Sequence, residues 1–352
     1  MKKLTPETIK QIQEMPKAVL HLHLDGSLRP ETVKAVMKEM LGEDMSIEDV
    51  QRMLMVDKDC RDLNQYLEKF GLPVRTLQTA ENLKRATFEL YEDLAKQNVK
   101  YAEVRFAPSL HTKNGLSYEQ IVQATIDGLN EAKQKYDIEG GLILCCMRGE
   151  PLENHINTIN VAEQFLGQGV CALDLAGAEA IFKTNMYEET FRMAREKGIP
   201  FTIHAGEADG PESIRTALSF FGDDSQIRIG HGIQCIDDPE LVEELIRKKA
   251  VLEVCPTSNL QTLPNLEKHP LGELYKKGVL VTLSPDNSTV SNVSITEEYE
   301  DALNRDNTLT LDDLSVMNLN AIRGSFASPE VKAKIEAEIM KYRQKQKSRE
   351  ER

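Results

Sequence analysis

Histidines and acidic residues stand at the ends of several short apolar segments of this chain. The first segment ends with His21 and His23, which are two residues apart. Alternate residues of a β-strand point to the same face, so the two imidazoles are expected to project side by side. Such a pair can chelate a divalent metal, but core or surface histidines show the same spacing, and the pair alone leaves both interpretations open.

Three later segments end in the same kinds of side chain. The first of them ends near His204 and Glu207, the second ends at His231, and the third ends just before Asp286 and Asn287. Taken one at a time, each could be a helix cap or an ordinary hydrogen-bond partner. Taken together with the histidine pair, they predict a catalytic metal site, because histidine and carboxylate ligands without cysteine are typical of zinc or iron with an open coordination position.

The segments that carry these residues belong to a regular alternation of short apolar runs and longer helical patterns. The eight runs are Lys17–Leu24, Val99–Ala107, Gly140–Met147, Val170–Ala176, Ile199–Ala205, Gln226–His231, Ala250–Cys255 and Gly278–Leu283. Consecutive apolar residues are typical of parallel strands that helices cover on both faces. The alternation predicts an α/β fold, a single (β/α)8 TIM barrel over residues 1–352, with a doubly wound open sheet as the alternative. In a barrel the strand ends meet at one mouth, which would bring the candidate residues together.

Two segments depart from this alternation. Residues 29–79, after the first strand, have a helical and loop-like pattern, and they are predicted to form an insertion over the active-site mouth. Residues 331–352 are rich in lysine, arginine and glutamate, and they are predicted to form a charged C-terminal helix or tail.

Composition excludes several classes of protein. The chain has 43 Lys and Arg against 57 Asp and Glu, a net charge of −14, which argues against nucleic acid as a general partner. It has no run of eighteen apolar residues and no apolar core in its basic N-terminus, so neither a membrane span nor a secretory signal is expected. Its six cysteines form no CxxC pair, and buried, reduced cysteines in a cytoplasmic protein are expected.

Seven sequence motifs occur in an order that resembles one family. HLHLDGS, YAEVRFAP, ALDLAGAE, TIHAGE, RIGHG, EVCPTSN and the late Asp-Asn pair are similar to the motifs of the adenosine deaminase family, in the amidohydrolase superfamily. The resemblance covers about residues 14–325, and within the family the chain resembles the bacterial type. It implies a barrel that holds one zinc ion per chain and a small purine nucleoside as the binding partner.

The resemblance also implies roles for individual residues. The implied metal ligands are His21, His23, His204 and Asp286. The implied catalytic residues are Glu207, which gives a proton to N1 of the purine, and His231 and Asp286, which orient the attacking water and take its proton. The implied substrate-binding residues are His23, Asp25, Gly177 and Asn287. The remaining histidines, His111, His155 and His269, are interpreted as bystanders.

Departures from the family pattern bear on the substrate. Asn287 stands where Asp is common, Ala178 stands where Asp often follows Gly177, and Pro285 precedes the expected ligand. Adenine deaminases of the family resemble HLHxEG in their first motif, whereas this chain has Asp25. The expected reaction is therefore hydrolytic deamination of adenosine and 2′-deoxyadenosine to inosine and deoxyinosine, and the alternative is adenine or another 6-aminopurine derivative.

The sequence disfavours two other classes of function. A dinuclear, phosphotriesterase-like hydrolase needs a bridging lysine at the end of the fourth strand, where this chain has LDLAG. A binding protein that lost turnover is disfavoured because every expected ligand and Glu207 are present. The sequence makes no prediction of the oligomeric state.

Overall fold

Eight parallel strands form the centre of the molecule. The computed structural model describes residues 4–60, 62–263 and 265–350, and within them the strands are β1 (Lys17–His23), β2 (Val99–Phe106), β3 (Glu139–Met147), β4 (Val170–Ala176), β5 (Ile203–Ala205), β6 (Arg228–His231), β7 (Val251–Val254) and β8 (Leu280–Leu283). The strands pair in sequence order, β1 to β4 in one sheet and β5 to β8 in the other. Isolated parallel bridges, Leu22 with Asp286 and Leu173 with Phe201, connect the two sheets at both seams.

This arrangement is the predicted (β/α)8 barrel. A doubly wound sheet changes direction at a switch point, so its strand order is not the sequence order. The observed order has no such reversal within either sheet. The doubly wound alternative is therefore wrong.

Helices surround the strands and begin at residues that favour helix starts. In the described ranges they are α1 (Pro6–Glu14), α2 (Pro30–Leu41), α3 (Ile47–Leu54), α4 (Leu63–Leu67), α5 (Gly71–Thr76), α6 (Ala80–Lys96), α7 (Tyr118–Lys135), α8 (Leu152–Phe165), α9 (Glu188–Glu196), α10 (Pro211–Ser219), α11 (Pro239–Arg247), α12 (Pro256–Thr262), α13 (Leu271–Lys277), α14 (Ile295–Arg305), α15 (Leu311–Gly324) and α16 (Pro329–Glu350). Ser117, for example, caps α7 in a reciprocal bond pair with Gln120. None of these helices has the length and apolarity that crossing a membrane requires.

The segment between β1 and β2 is helical, as predicted. Residues 29–79 contain α2, α3, α4 and α5, although Arg61 lies outside the described residues. Leu63, Tyr66 and Phe70 of this segment line a cavity at the C-terminal ends of the strands. The insertion therefore contributes a wall of that cavity, while the assignment of the whole chain to one domain stays a prediction.

The C-terminal segment forms the long helix α16, and residues 351–352 of the predicted tail lie outside the described part. One side of α16 is buried, since Ile335 and Ile339 pack in a cluster with Leu20 of β1 and Ile322 of α15. Burial of these side chains ties the helix to the barrel.

The interior of the barrel is ionic rather than filled with aliphatic side chains alone. Glu103 of β2 pairs with Arg228 of β6 across the barrel, and Arg228 Nε donates to Glu253 Oε1 of β7 at 2.7 Å. Arg105 of β2 donates to Glu253 Oε2 at 2.7 Å. All four side chains are fully buried, and buried charges are tolerated only when they are paired in this way. This layer underlies the candidate site.

Candidate active site

The cavity at the C-terminal ends of the strands has a volume of about 300 Å³. Eight of the nine predicted residues line it: His23, Asp25, Gly177, His204, Glu207, His231, Asp286 and Asn287. The ninth, His21, packs against His204, with ring centroids 4.4 Å apart. A larger cavity of about 890 Å³ lies between α12, α13 and α14 and contains none of these residues. The smaller cavity is the candidate active site because the titratable groups converge there.

Four imidazoles and one carboxylate meet at the floor of this cavity. Asp286 Oδ1 lies 3.3 Å from His21 Nε2 and 3.3 Å from His23 Nε2, and His23 Nε2 lies 3.2 Å from His204 Nε2. Donor atoms of His21, His204, His231 and Asp286 lie within 4.8 Å of one another. The predicted ligand set and this cluster share His21, His204 and Asp286. The fourth residue is His23 in the predicted set and His231 in the cluster.

The arrangement of lone pairs fits a bound cation. His21 Nδ1 lies 2.8 Å from Glu253 Oε2, and because the carboxylate accepts, Nδ1 carries the proton and Nε2 keeps its lone pair. That lone pair faces Asp286 Oδ1, and both atoms are buried without a hydrogen-bond partner. Two acceptors at 3.3 Å repel each other unless a positive charge lies beside them. The residues present therefore fit a metal ion.

Carboxylates below the floor orient two of the imidazoles. Glu253 binds His21, and Asp174 Oδ2 lies 2.8 Å from His204 Nδ1. Arg105 joins the two carboxylates, since its Nη1 donates to Asp174 at 2.8 Å and its Nη2 donates to Glu253 at 2.7 Å. Burial would raise the pKa of Glu253, but the guanidinium of Arg105 helps to hold that pKa well below its usual range. Such partners fix the tautomer and orientation of ligating histidines.

These supporting residues were not among the residues predicted from the sequence. Arg105, Asp174 and Glu253 are charged residues inside largely apolar strands, in YAEVRFAP, ALDLAG and VLEVCP. A charged residue inside such a run must find a partner when the strand is buried. A charged residue inside an apolar run therefore indicates a buried ion pair or hydrogen bond, although it does not identify the partner.

Glu207 lies in the loop after β5 and is held by a second carboxylate. Glu179 accepts the backbone N–H groups of Gly206 (2.6 Å), Glu207 (3.0 Å), Ala208 (2.8 Å) and Asp209 (3.1 Å). Burial raises the pKa of Glu207 well above its ordinary value, and the nearby charges of Asp286 and Glu179 raise it further. A raised pKa favours the protonated carboxyl group of Glu207, which is the form that can donate a proton.

His231 and Asp286 both have left-handed backbone conformations, with φ of 60° and 63°. Positive φ is uncommon in residues other than glycine and is found at functional sites. These conformations direct His231 Nε2 to within 3.5 Å of Glu207 Oε2. Asp286 is anchored on its other side, where Ser258 Oγ donates to Oδ2 at 2.6 Å. The strained turns therefore aim both side chains into the cavity.

The predicted substrate-binding residues lie on the cavity wall. Asp25 is buried, and this burial raises its pKa to about 6. Gly177 has a φ of 110°, which favours glycine. Asn287 packs against Gly26 so closely that a Cβ at position 26 would lie 1.8 Å from Asn287 Oδ1. The absence of a side chain at Gly26 thus makes room for Asn287.

The three histidines interpreted as bystanders differ in their surroundings. His111 is fully buried outside the cavity lining. His155 lies beside Thr190 and the carbonyl of Met147, at 2.9 Å from each. His269 Nε2 lies 3.1 Å from Asn259 Oδ1, and Asn259 Nδ2 lies 2.9 Å from His231 Nδ1. His269 is therefore connected to the site, contrary to the sequence interpretation.

Comparison with known proteins decides the family. The profile of the family described as adenosine deaminase matches residues 16–342. The chain belongs to the adenosine deaminase family. A Clostridium perfringens (strain 13 / Type A) adenosine deaminase is 41% identical over 330 residues, which are 93% of this chain and 98% of that protein. The chain is accordingly a hydrolase that deaminates at a carbon–nitrogen bond, and the predicted family is confirmed.

Solved structures show the same fold. The adenine deaminase of Arthrobacter aurescens has a TM-score of 0.84 and 26% identity, and the match covers 94% of this chain and 99% of that one. An amidohydrolase of Burkholderia ambifaria with bound Zn has a TM-score of 0.88 and 23% identity, and the match covers 97% and 94% of the two chains. These likenesses confirm the barrel with its insertion, while the roles of individual residues stay predictions.

Proposed function

We propose that this enzyme deaminates adenosine and 2′-deoxyadenosine to inosine and 2′-deoxyinosine, releases ammonia, and holds one zinc ion per chain. The observation that carries the proposal is the position of Glu207, a buried acid, 3.5 Å from His231 at the edge of the histidine and Asp286 cluster. An acid beside a metal-binding cluster suits the addition of water to a purine ring. The 41% identity to an adenosine deaminase supports the choice of substrate.

His21, His23, His204 and Asp286 would hold the zinc. Three imidazoles and a carboxylate without cysteine suit zinc in a catalytic site. The zinc, when bound, supplies a Lewis acid that lowers the pKa of a bound water towards ~7.

The first half of the reaction adds water to C6 of the purine. Glu207 gives its carboxyl proton to N1, which makes C6 electrophilic. Water attacks C6, and one of its protons passes to the carboxylate of Asp286 at Oδ1. The result is a tetrahedral carbon that carries the new hydroxyl and the original amino group.

The second half expels the amine. The amino group takes the proton that Asp286 holds, the bond from C6 to nitrogen breaks, and ammonia leaves. The hydroxyl proton returns to Glu207 as the C6 carbonyl forms. Water is consumed, ammonia is released, and both carboxyl groups end in their starting states.

The wall residues would select a nucleoside. The carboxyl group of Asp25 can accept a hydrogen bond from a ribose hydroxyl, and the amide of Asn287 can donate to and accept from purine nitrogens. Gly177 lets the purine approach the backbone closely, because it has no Cβ. The alternative substrate is adenine or another 6-aminopurine derivative, and the likeness to an adenine deaminase supports keeping it. A cytoplasmic location stays a prediction from the cysteine content.

A comparison of four substrates tests the proposal. Purified protein, with its zinc measured by elemental analysis, is mixed with adenosine, 2′-deoxyadenosine, adenine and N6-methyladenosine, and the ultraviolet spectrum and ammonia release are followed. We expect about one zinc per chain and turnover of the first two. Turnover of adenine with an unchanged adenosine spectrum would establish the alternative instead.

A further inference from the structure

A row of three hydrogen bonds leads away from His231 to the start of α13. The backbone N–H of Leu271 donates to His269 Nδ1 at 3.1 Å. His269 Nε2 lies 3.1 Å from Asn259 Oδ1, and Asn259 Nδ2 lies 2.9 Å from His231 Nδ1. The family resemblance implies no role for Asn259, although Asn259 is the last residue of the EVCPTSN motif, and His269 was interpreted as a bystander.

The donor and the acceptor of each hydrogen bond in this row can be assigned from Leu271, the residue farthest from His231. A backbone N–H can only donate, so His269 Nδ1 must accept. Burial lowers the pKa of His269 to about 3, so its ring is neutral at neutral pH and carries its one proton on Nε2. That proton points to Asn259 Oδ1, which leaves the Asn259 amino group to donate to His231 Nδ1. In a neutral His231 the proton is then on Nε2.

We propose that Asn259 and His269 are positioning residues that hold His231 as the Nε2–H tautomer, so that His231 presents a hydrogen-bond donor to the reacting oxygen. The inference rests on the proposed function in that this oxygen is the one that adds to C6. His231 Nε2 lies at the cavity wall, 3.5 Å from Glu207 Oε2.

Two consequences sharpen the division of roles in the site. Neither nitrogen of this tautomer has a free lone pair, since Nδ1 accepts from Asn259 and Nε2 carries the proton. His231 therefore takes no proton from the water, and Asp286 is the acceptor. For the same reason His231 is excluded as a metal ligand, and His23 is the fourth ligand.

Nitrogen NMR of the zinc-loaded full chain, with 15N in histidine alone, reads the tautomer directly. A protonated and an unprotonated ring nitrogen have well-separated 15N shifts. His155 is an internal reference, because its Nε2 lies 2.9 Å from the Met147 carbonyl and must donate to it. The variant His231→Gln assigns the His231 signals. We expect His231 to match His155, and a proton on Nδ1 of His231 would overturn the proposal.

Asn259→Asp tests the positioning role, because it replaces the amide donor by a second acceptor of the same shape. We expect the His231 proton to move to Nδ1 and kcat for adenosine to fall about 100-fold or more, with little change in KM. Gln261→Ala on the same helix, which removes a hydrogen bond to the Ser291 carbonyl, is the matched control. It should change neither the His231 tautomer nor kcat. An unchanged tautomer in Asn259→Asp would overturn the role of Asn259.

A second variant keeps the test decisive if Asn259→Asp does not fold. His269→Phe removes the group that orients the Asn259 amide, so we expect the His231 proton to be shared between the two nitrogens. A His231 signal that stays unchanged would overturn the role of His269. The NMR measurement needs no substrate, so a failure of adenosine turnover would count against the proposed function and leave this tautomer result standing on its own.

Discussion

Glu179 accepts the backbone N–H of Glu207 at 3.0 Å, and the same carboxylate accepts the N–H groups of three neighbouring residues. Ser213 Oγ also donates to it at 2.6 Å. One carboxylate therefore fixes the loop that carries the other. Its negative charge also raises the pKa of Glu207, after the larger effects of burial and of Asp286. Glu179 thus holds the loop, and Glu207 carries the proton in the proposed mechanism.

Glu207→Gln should keep the metal and lose turnover. The amide has nearly the same shape as the acid but cannot give up a proton to N1, so we expect kcat for adenosine to fall about 10²–10⁴-fold. Zinc content by elemental analysis should equal that of the parent protein. Retained activity in the zinc-loaded variant would show that another group protonates the purine.

Glu179→Gln should weaken catalysis without touching the substrate. The amide loses the charge and half of the acceptor capacity that hold residues 206–209, so the loop shifts, and we expect a loss in kcat on the order of 10–100-fold. Glu212→Gln, an exposed change at the start of α10, is the matched control and should leave kcat unchanged. Equal kcat values in the two variants would contradict the role assigned to Glu179.

Arg105→Lys should lower metal affinity. Lysine keeps a positive charge but has a single ammonium in place of the planar fork whose two nitrogens donate to Asp174 and Glu253. The imidazoles of His21 and His204 should therefore lose part of their orientation. We expect zinc affinity to fall about 10–100-fold, measured by competition with a chromogenic chelator. Arg192→Lys, at an exposed ion pair on α9, serves as the control. An unchanged zinc affinity in Arg105→Lys would contradict this reading of the ionic layer.

His111→Met should reduce the loss of stability in acid. His111 is fully buried, and burial lowers its pKa to about 4. Between an unfolded pKa of about 6.5 and a folded pKa of about 4, the unfolded chain binds one more proton, so the stability that His111 contributes is present above pH 6.5 and is lost as the pH falls through this window.

Urea unfolding at pH 7 and at pH 5 measures this effect. The free energy of unfolding should fall by about 2 kcal/mol less in His111→Met than in the parent protein, since each pH unit inside the window is worth about 1.4 kcal/mol. Taking the difference between the two proteins cancels the contributions of the other titrating groups. An identical pH dependence would contradict the low pKa of His111.

The strand ends could be predicted because their signal is local. Consecutive apolar residues followed by histidine or aspartate locate the ends of β1, β5, β6 and β8. The alternation of side chains along β1 places His21 and His23 on the same face. Most predicted runs extend one or two residues beyond the observed strand, and the largest excess is at β5, where only Ile203–Ala205 of Ile199–Ala205 is a regular strand. Pro200 lacks an N–H, and the stretch before β5 is joined to β4 by a single bridge between Leu173 and Phe201.

The supporting contacts could not be predicted because they join segments far apart in the chain. Arg105 and Glu253 are in contact although they are 148 residues apart in the sequence, and His21 contacts the same carboxylate from 232 residues away. Glu179 and His269 lie in irregular connections, where no periodicity indicates which way a side chain points. Their partners are set by the closure of the barrel, which a local pattern does not describe.

The close contact of Gly26 with Asn287 limits how this site can diverge. Because any side chain at position 26 would occupy the place of the Asn287 amide, a change at position 26 requires a smaller residue at position 287 at the same time. Position 287 can therefore change by itself to residues that are no bulkier than asparagine on the side that faces Gly26, and such a change could alter the purine preference. A substitution at position 26 is excluded as long as Asn287 is present.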